Sequence, residues 1–225
     1  MSFFQIKLLA ILAMVVDHIG LFFLPNYTFL RIIGRVSFPL FSFLIANGAH
    51  YTKNIKNYII RILIFAFLSQ VPYNLAHNSI NLENVGLNIL FTFFLSLLLI
   101  FAVREAKKNT LFIFVLLAVL FFSCILNIDY RFYGVILPLL FYLTFNDKKK
   151  MILSFFILAF LASFFSGIEG DRLNFSKVDL GYIFGLFSLA FILSYNHKVG
   201  LKAKYLFYVF YPLHFLAIYF IKLFV

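Results

Sequence analysis

Apolar stretches of membrane-spanning length recur along the whole 225-residue chain. A helix needs about 20 such residues to cross a bilayer. Nine stretches meet or approach this length: 5–25, 29–51, 58–77, 86–103, 110–128, 131–146, 151–167, 179–196 and 204–225. They lack the alternating pattern of a membrane β-barrel. The sequence therefore predicts an all-α fold, a polytopic integral membrane helix bundle of about nine transmembrane helices, in a single domain over residues 1–225.

Basic residues occupy every second connection between these stretches. They are Lys53 and Lys56, then Arg104, Lys107 and Lys108, then Lys148, Lys149 and Lys150, and finally Lys198, Lys202 and Lys204. The other connections hold Glu83, Asp129, Arg131, Glu169, Asp171, Arg172 and Lys177. Because Lys and Arg accumulate in cytoplasmic loops, this alternation predicts a cytoplasmic N-terminus and an external C-terminus in the cell (inner or plasma) membrane.

The net charge of +11 is also explained by this loop bias, so no nucleic-acid partner is predicted. The five histidines are scattered and Cys124 is single, so no metal site or internal disulfide is expected. No phosphate-binding loop, dinucleotide-binding glycine pattern or G-x-S-x-G elbow is present. Any chemistry must therefore use polar side chains at membrane depth.

The main concentration of ionisable groups lies in the first two stretches. Asp17 and His18 interrupt the first, and Arg31 and Arg35 interrupt the second. Such groups are costly in a membrane and usually functional. Since Arg31 and Arg35 are four residues apart, they share a helix face. A short connection makes the two helices neighbours, so the four groups are predicted to form one layer, in which Asp17 can pair with Arg35.

Further polar residues at membrane depth are candidates for the same site. They are Asn88, Tyr133, Tyr211 and His214. Arg61 lies near the cytoplasmic end of its helix, where it can snorkel or meet a nucleotide phosphate. The alternative is that these residues have structural roles only: the Asp–Arg pair would hold two helices together, and His214 would be a packing residue.

Two prolines lie beside these groups. Pro39 and Pro212 each leave one carbonyl without its helical partner, at Arg35 and Tyr208 respectively. Breaks of this kind are tolerated where protein or a cavity satisfies the backbone.

Three motifs resemble those of the TraX family. They are Asp-His-Ile-Gly at 17–20, Gly-Arg-x-x-Phe-Pro at 34–39 and Phe-Tyr-Pro-Leu-His-Phe at 210–215. Together with "NVGLNILFTFFLSLL" and "YGVILPLLFYL", they follow the order of that family and cover most of the chain.

The resemblance implies a polytopic membrane acetyltransferase. TraX proteins are associated with acetylation of the pilin N-terminus. They are distantly similar to acyltransferase-3 proteins and the lysosomal glucosaminide acetyltransferase, which take an acyl group from cytoplasmic acyl-CoA and use an essential histidine. The matching residue here is His18, and Tyr211 with His214 is similar to a Tyr-x-x-His element of acyltransferase-3 proteins. Here Asp17 stands directly before His18, in place of the arginine that precedes the histidine at some distance in acyltransferase-3 proteins.

The resulting hypothesis is acetyl transfer from cytoplasmic acetyl-CoA to a pilin amine or a surface glycan at the outer face. His18 acts as general base or transient acyl carrier beside Asp17. Arg31, Arg35, Tyr211, His214, Asn88 and Tyr133 are candidates for oxyanion stabilisation or substrate binding, and Arg61 for CoA binding. The expected partners are membrane lipid, acyl-CoA and the acceptor. The alternatives are a transporter or lipid-linked carrier, for which no repeat between halves is found, and a non-enzymatic assembly factor.

Overall fold

The computed structural model describes residues 1–77, 86–105, 109–126, 128–169, 172–173, 179–203 and 205–224. Several charged residues used in the orientation argument lie outside these ranges: Glu83, Lys107, Lys108, Asp171, Lys177 and Lys204. The described residues are mainly helical, which confirms the predicted all-α class. Their strands form one antiparallel ladder that pairs Ile168–Glu169 with Arg172–Leu173.

The first of two compact units comprises residues 1–44 and 143–202. Its helices are α1 (Phe3–Phe22), α2 (Thr28–Gly34), the start of α3 (Ser37–Tyr51), α8 (Lys148–Ser166), α9 (Gly181–Phe184), a 3₁₀ helix (Gly185–Ser188) and α10 (Leu189–Leu193). Strands β1 (Ile168–Glu169) and β2 (Arg172–Leu173) follow α8. Ser2 caps α1 by accepting a hydrogen bond from the backbone amide of Gln5, whose side chain accepts one from Ser2 in return.

The second unit comprises residues 45–142 and 203–225. It contains the end of α3, α4 (Ile55–Ala76), α5 (Ile89–Glu105), α6 (Asn109–Ile125), α7 (Arg131–Leu143, to residue 142) and α11 (Leu206–Lys222). Helix α4 packs against both α5 and α11. Arg104 donates to the carbonyls of Ala49 and Thr52 and so satisfies the C-terminal end of α3. The single-domain assignment stays a prediction.

Four helical stretches among the described residues are long and apolar enough to cross a membrane: Phe3–Phe22, Thr28–Tyr51, Ile55–Ala76 and Lys148–Ser166. Shorter apolar helices include Ile113–Ser123, Arg131–Leu143, Gly181–Leu193 and Leu206–Lys222. Large apolar side chains are exposed on several of these helices, such as Phe114 on α6 and Phe67 on α4. An exposed apolar surface of this extent suits a lipid environment. The count of nine spans and the side of the N-terminus stay predictions.

The second predicted stretch differs from expectation because it is two helices, with an interruption at Arg35 and Val36. Pro39 cannot donate to the Arg35 carbonyl, and Val36 makes the tighter hydrogen bond to Ile33. Helix α3 then restarts at Ser37 and places Pro39 in its first turn, where no amide is required. In contrast, α11 continues through Pro212, since a packed helix tolerates one missing hydrogen bond.

Candidate functional site

The predicted site residues fall into both units. Asp17, His18, Arg31 and Arg35 belong to the first unit. Asn88, Tyr133, Tyr211, His214 and Arg61 belong to the second unit. The two groups are therefore described separately.

Two glycines let α1 and α2 pack closely in the first unit. A Cβ on Gly20 would lie 2.9 Å from the Cβ of Leu30. A Cβ on Gly34 would overlap the Cβ and the carboxylate of Asp17. The side chain of Asp17 thus rests directly on the backbone of α2, in a space that only glycine leaves open.

Asp17 and Arg31 form the ion pair between these helices. The Nη1 atom of Arg31 lies 2.5 Å from Oδ2 of Asp17 and also donates to the Asp17 backbone carbonyl at 3.3 Å. The side chains are 17% and 29% exposed, so water screens the pair only in part. Within the described part of the chain, the buried Oδ1 atom of Asp17 has no hydrogen-bond partner. Arg31 therefore compensates the charge at Oδ2, while Oδ1 can still accept a hydrogen bond.

Removing the charge of Asp17 is expected to destabilise the first unit. Exposed pairs contribute about 0–1 kcal/mol and breaking a buried pair costs about 3–5 kcal/mol, so Asp17→Asn should cost about 1–2 kcal/mol. The measurement is thermal unfolding in detergent. Because much of the loss comes from leaving Arg31 uncompensated, Asp17→Asn combined with Arg31→Gln should be less destabilised than the sum of the two single variants. Additive losses would mean that the pair does not interact.

His18 is half-buried in the last part of α1. Its ring lies 5.9 Å from the ring of Phe22, centroid to centroid, one helical turn further on. Adjacent side chains point in different directions on a helix, and the Asp17 carboxylate is directed to Arg31. The structure thus brings Asp17, His18 and Arg31 into one region of the first unit. The assignment of His18 as the catalytic base stays a prediction.

Arg35 has an acidic neighbour that the sequence did not indicate. Its Nη2 atom lies 3.8 Å from Oδ2 of Asp179, just before α9. The other carboxylate oxygen accepts from the Gly181 amide at 2.7 Å, while Ser163 and Ser166 of α8 hold the Asp179 backbone through hydrogen bonds. A Cβ on Gly181 would lie 2.6 Å from Nε of Arg35. Gly181 thus makes room for the arginine beside this turn.

The predicted pairing of Asp17 with Arg35 is therefore wrong. Asp17 hydrogen-bonds to Arg31, four residues earlier, and Arg35 makes its ion pair with Asp179. The physical reason is the close packing at Gly34, which puts the Asp17 carboxylate within reach of the Arg31 side chain.

A second polar cluster lies in the second unit, around Asp129 in the connection between α6 and α7. The hydroxyl of Tyr73 donates to its Oδ1 atom at 3.4 Å. Thr92 on α5 donates to its backbone carbonyl at 3.0 Å. The next two residues, Tyr130 and Arg131, have φ angles of 59° and 44°. Two successive non-glycine residues in the left-handed region are costly, and such strain is often found at functional sites.

Tyr211 and His214 of α11 belong to this same unit. Tyr211 is 2% exposed, and its ring packs edge-on against Phe215 at 5.3 Å between centroids, as the ring of Tyr73 does at 5.1 Å. His214 is also buried, where its Nδ1 atom donates to the Phe210 carbonyl at 3.2 Å and its ring stacks on the Phe210 ring. Tyr211 and Tyr73 thus contact the same phenylalanine ring, and Tyr73 in turn donates to Asp129. Roles for Tyr211 and His214 in oxyanion stabilisation stay predictions.

Asn88 and Tyr133 are both buried in the second unit. The Nδ2 atom of Asn88 donates to the Ala66 carbonyl at 2.8 Å and to Oε1 of Gln70 at 2.7 Å, and its Oδ1 accepts from the Leu90 amide. These bonds join α4 to the start of α5. The ring centroid of Tyr133 lies 6.1 Å from that of Tyr130, next to Asp129. Substrate contacts for both residues stay predictions.

Arg61 is held between two tyrosines near the start of α4. Its guanidinium carbon lies 5.4 Å from the ring centroid of Tyr58 and 5.6 Å from that of Tyr208, both of which are buried. The Nε atom donates to the Tyr208 hydroxyl at 3.3 Å. Hydrogen bonds to its terminal Nη nitrogens are not found within the described ranges. A preorganised guanidinium with two open nitrogens suits a phosphate.

Asp129 and Asp179 were not singled out as site residues from the sequence. Asp129 lies in a connection between apolar stretches and Asp179 is the first residue of one, and a charged residue at such a position is ordinarily solvated. The partner of Asp129 is 56 residues earlier and that of Asp179 is 144 residues earlier. The one available signal was that acidic residues are scarce, eight in the chain.

Comparison with known proteins agrees with the motifs. The model of the family described as "TraX protein" matches residues 2–222. A probable fimbrial assembly protein FimC, serogroup H1, of Dichelobacter nodosus is 28% identical over 95% of this chain and 92% of its own length. An uncharacterized protein of Rickettsia prowazekii (strain Madrid E) is 26% identical over 89% of this chain and 83% of its own length. No solved structure matches the chain. Since the family model covers nearly the whole sequence, the chain belongs to the TraX family.

Proposed function

We propose that this chain is a membrane acetyltransferase, which moves an acetyl group from cytoplasmic acetyl-CoA to an acceptor at the outer face of the membrane. The observation that carries the proposal is the Asp17–Arg31 ion pair beside His18, in helices that are otherwise apolar. Membership of the TraX family supports the same activity. Charged groups in such a setting are expensive to keep for packing alone.

The reaction would proceed by attack of an acceptor nitrogen or oxygen on the thioester carbonyl carbon. His18 would take the proton of the attacking group as general base. The new C–N or C–O bond forms, the C–S bond breaks, and the CoA sulfur leaves as a thiolate that takes up a proton. If His18 instead carries the acetyl group, peptide mass spectrometry after rapid quenching should detect acetylated His18 before acceptor is added.

The remaining charges would serve the transition state and the nucleotide. Arg31 would keep its ion pair with Asp17 and also donate to the developing oxyanion, because its guanidinium has several donors in a fixed plane. Arg35, Tyr211, His214, Asn88 and Tyr133 remain candidates for contacts with the oxyanion or the substrate. Arg61 would bind a CoA phosphate through its Nη nitrogens from the basic cytoplasmic side.

The acceptor is a pilin amine or a surface-glycan group. A relative in the comparison carries the description of a fimbrial assembly protein, which favours a pilus component as acceptor. The glycan alternative uses the same acyl-transfer chemistry.

Acetyl-CoA binding is the first test. Purified protein in detergent should be stabilised by about 2.7 kcal/mol when acetyl-CoA is present at 100 times its dissociation constant, which a thermal-shift assay detects. Arg61→Gln should weaken this binding at least tenfold because a phosphate contact is lost. Arg131→Gln, on a connection predicted to face outward, is the matched control. A folded wild type that shows no shift with saturating acetyl-CoA would contradict the proposed co-substrate.

A further inference from the structure

A groove of about 480 Å³ runs along the exposed side of α8 in the first unit. Its lining is apolar except at one end, where Lys149 lies. The apolar residues that line the rest of this α8 groove are Ile152, Leu153, Phe156, Ile157, Phe160 and Leu161. A helix rises about 18 Å from residue 149 to residue 161, which is close to the depth of one leaflet of a bilayer, about 15 Å.

The residue types of α8 make the groove a poor surface for a second helix. Helices in a membrane associate closely through small residues, because lipid chains are as apolar as the helices themselves. The small residues Ala159, Ala162 and Ser163 of α8 are all buried, away from the groove. Its lining is bulky instead, and Phe156 and Phe160 are 56% and 59% exposed. This composition favours a flexible hydrocarbon chain over a protein helix as the occupant.

Lys149 differs from the two lysines beside it in how its charge is used. The Nζ atom of Lys148 donates to the Leu193 carbonyl at 3.2 Å. The Nζ atom of Lys150 lies 3.2 Å from Oδ2 of Asp147, the residue that caps α8. No ion pair or hydrogen bond engages the Lys149 ammonium group within the described ranges, and this lysine is the one that lines the groove. Its charge is therefore available to a ligand that lies in the groove.

A groove that is apolar along its length and cationic at one end fits a molecule with a hydrocarbon chain and an anionic head group. The cationic end belongs to residues 147–150, which comprise one aspartate and three lysines, in a connection predicted to be cytoplasmic. Basic clusters immediately cytoplasmic of a membrane helix attract anionic lipids. The apolar area and the positive charge would thus act on the same molecule.

We propose that the α8 groove binds one acyl chain of an anionic phospholipid of the cytoplasmic leaflet, and that Lys149 pairs with the phosphate of its head group. The inference goes beyond the proposed acetyl transfer and does not rest on it, since no residue of the groove is assigned to that reaction. The bound lipid would fix the depth of α8 in the bilayer, because it joins the helix to the head-group layer at Lys149.

The test uses the full chain with one tryptophan introduced into the groove. The natural sequence has no tryptophan, so the fluorescence of Phe156→Trp reports on this site alone. The protein is reconstituted in phosphatidylcholine vesicles with a minor fraction of phosphatidylglycerol, and either lipid carries brominated acyl chains, which quench tryptophan on contact. The share of contacts made by phosphatidylglycerol should exceed its mole fraction about fivefold, as expected for one lysine near the bilayer surface.

Three further variants test the role of the lysine and of the position. Lys149→Gln in the Phe156→Trp protein should lower the share of phosphatidylglycerol to its mole fraction, while Lys149→Arg should keep the preference because the charge is kept. Lys150→Gln is the matched control and should retain most of the preference, since that lysine is already paired with Asp147. Phe164→Trp, at the other end of α8, should be quenched in proportion to mole fraction.

Quenching of Phe156→Trp in proportion to mole fraction would overturn the inference, and this result needs no lysine variant to fold. An undiminished preference in a folded Lys149→Gln protein would also overturn it. If neither brominated lipid quenched Phe156→Trp, protein such as a second copy of the chain would cover the groove, and the inference would again be wrong. Acetyl-CoA binding is measured separately, so failure here leaves the transferase proposal unchanged.

Discussion

His18→Ala should abolish most acetyl transfer while the protein stays folded. A positioned general base contributes about 10²–10⁴-fold to a rate, and we expect a loss of at least about 100-fold in kcat. Because His18 is half-buried near the end of α1, its truncation leaves only a small gap in the packing. The measurement is acceptor-dependent release of CoA, with folding monitored by size-exclusion chromatography and thermal unfolding.

His50→Ala is the matched control for this experiment. His50 lies on α3 and is exposed, so its loss should leave both stability and transfer close to wild type. Acetyl-CoA binding should also be retained in His18→Ala, since the proposed base acts on the acceptor. Full transfer by a folded His18→Ala protein would remove His18 from the mechanism.

Gly34→Ala should be among the most destabilising single-methyl changes in the first unit. The new Cβ would overlap the Cβ of Asp17, an atom that cannot move unless α1 itself moves. Overpacking of this kind costs about 1–3 kcal/mol. Displacement of α1 would also pull Asp17 away from Arg31. We therefore expect Gly34→Ala to lower the free energy of unfolding by about 3 kcal/mol in all. Thermal unfolding in detergent measures the change.

Ile33→Ala provides the control for alanine on the same helix. Ile33 is 49% exposed, so shortening it removes little buried surface and leaves Asp17 untouched. Gly34→Ala in the background of Asp17→Gly, which has no Cβ to clash, should recover the steric part of the loss. If Gly34→Ala were as stable as Ile33→Ala, the close packing of α1 on α2 would be incorrect.

The helices were largely predictable from the sequence because long apolar runs leave a backbone in a bilayer few choices. The backbone must satisfy its own hydrogen bonds, and a helix does so locally. Each of the nine predicted stretches contains helix in the structure, as with α4 in the stretch 58–77 and α8 in 151–167. The interruption at Arg35 and Val36 was not predicted, although Pro39 marked its position, because the chain can bend, break or restart around a proline.

The candidate site was predictable only in part. Asp17, His18 and Arg31 stand out because ionisable residues are conspicuous in apolar runs, and neighbouring helices brought the first and last of them together. The partner of Arg35 could not be inferred, since Asp179 is distant in sequence and stands at the very edge of a predicted stretch. Asp129 was overlooked because it lies in a connection and its partner is also distant in sequence. Its hydrogen bond from Tyr73 depends on how the helices of the second unit pack.

The sequence by itself determined the membrane class, the helical fold and the identity of the chain as a TraX protein, because these follow from composition, run length and local motifs. The tertiary structure decided which charges pair, as Asp17 does with Arg31 and Arg35 with Asp179. That difference has a physical cause: an ion pair depends on distances of a few ångströms between side chains. Such distances are set by how closely two helices approach, here by the missing side chain of Gly34.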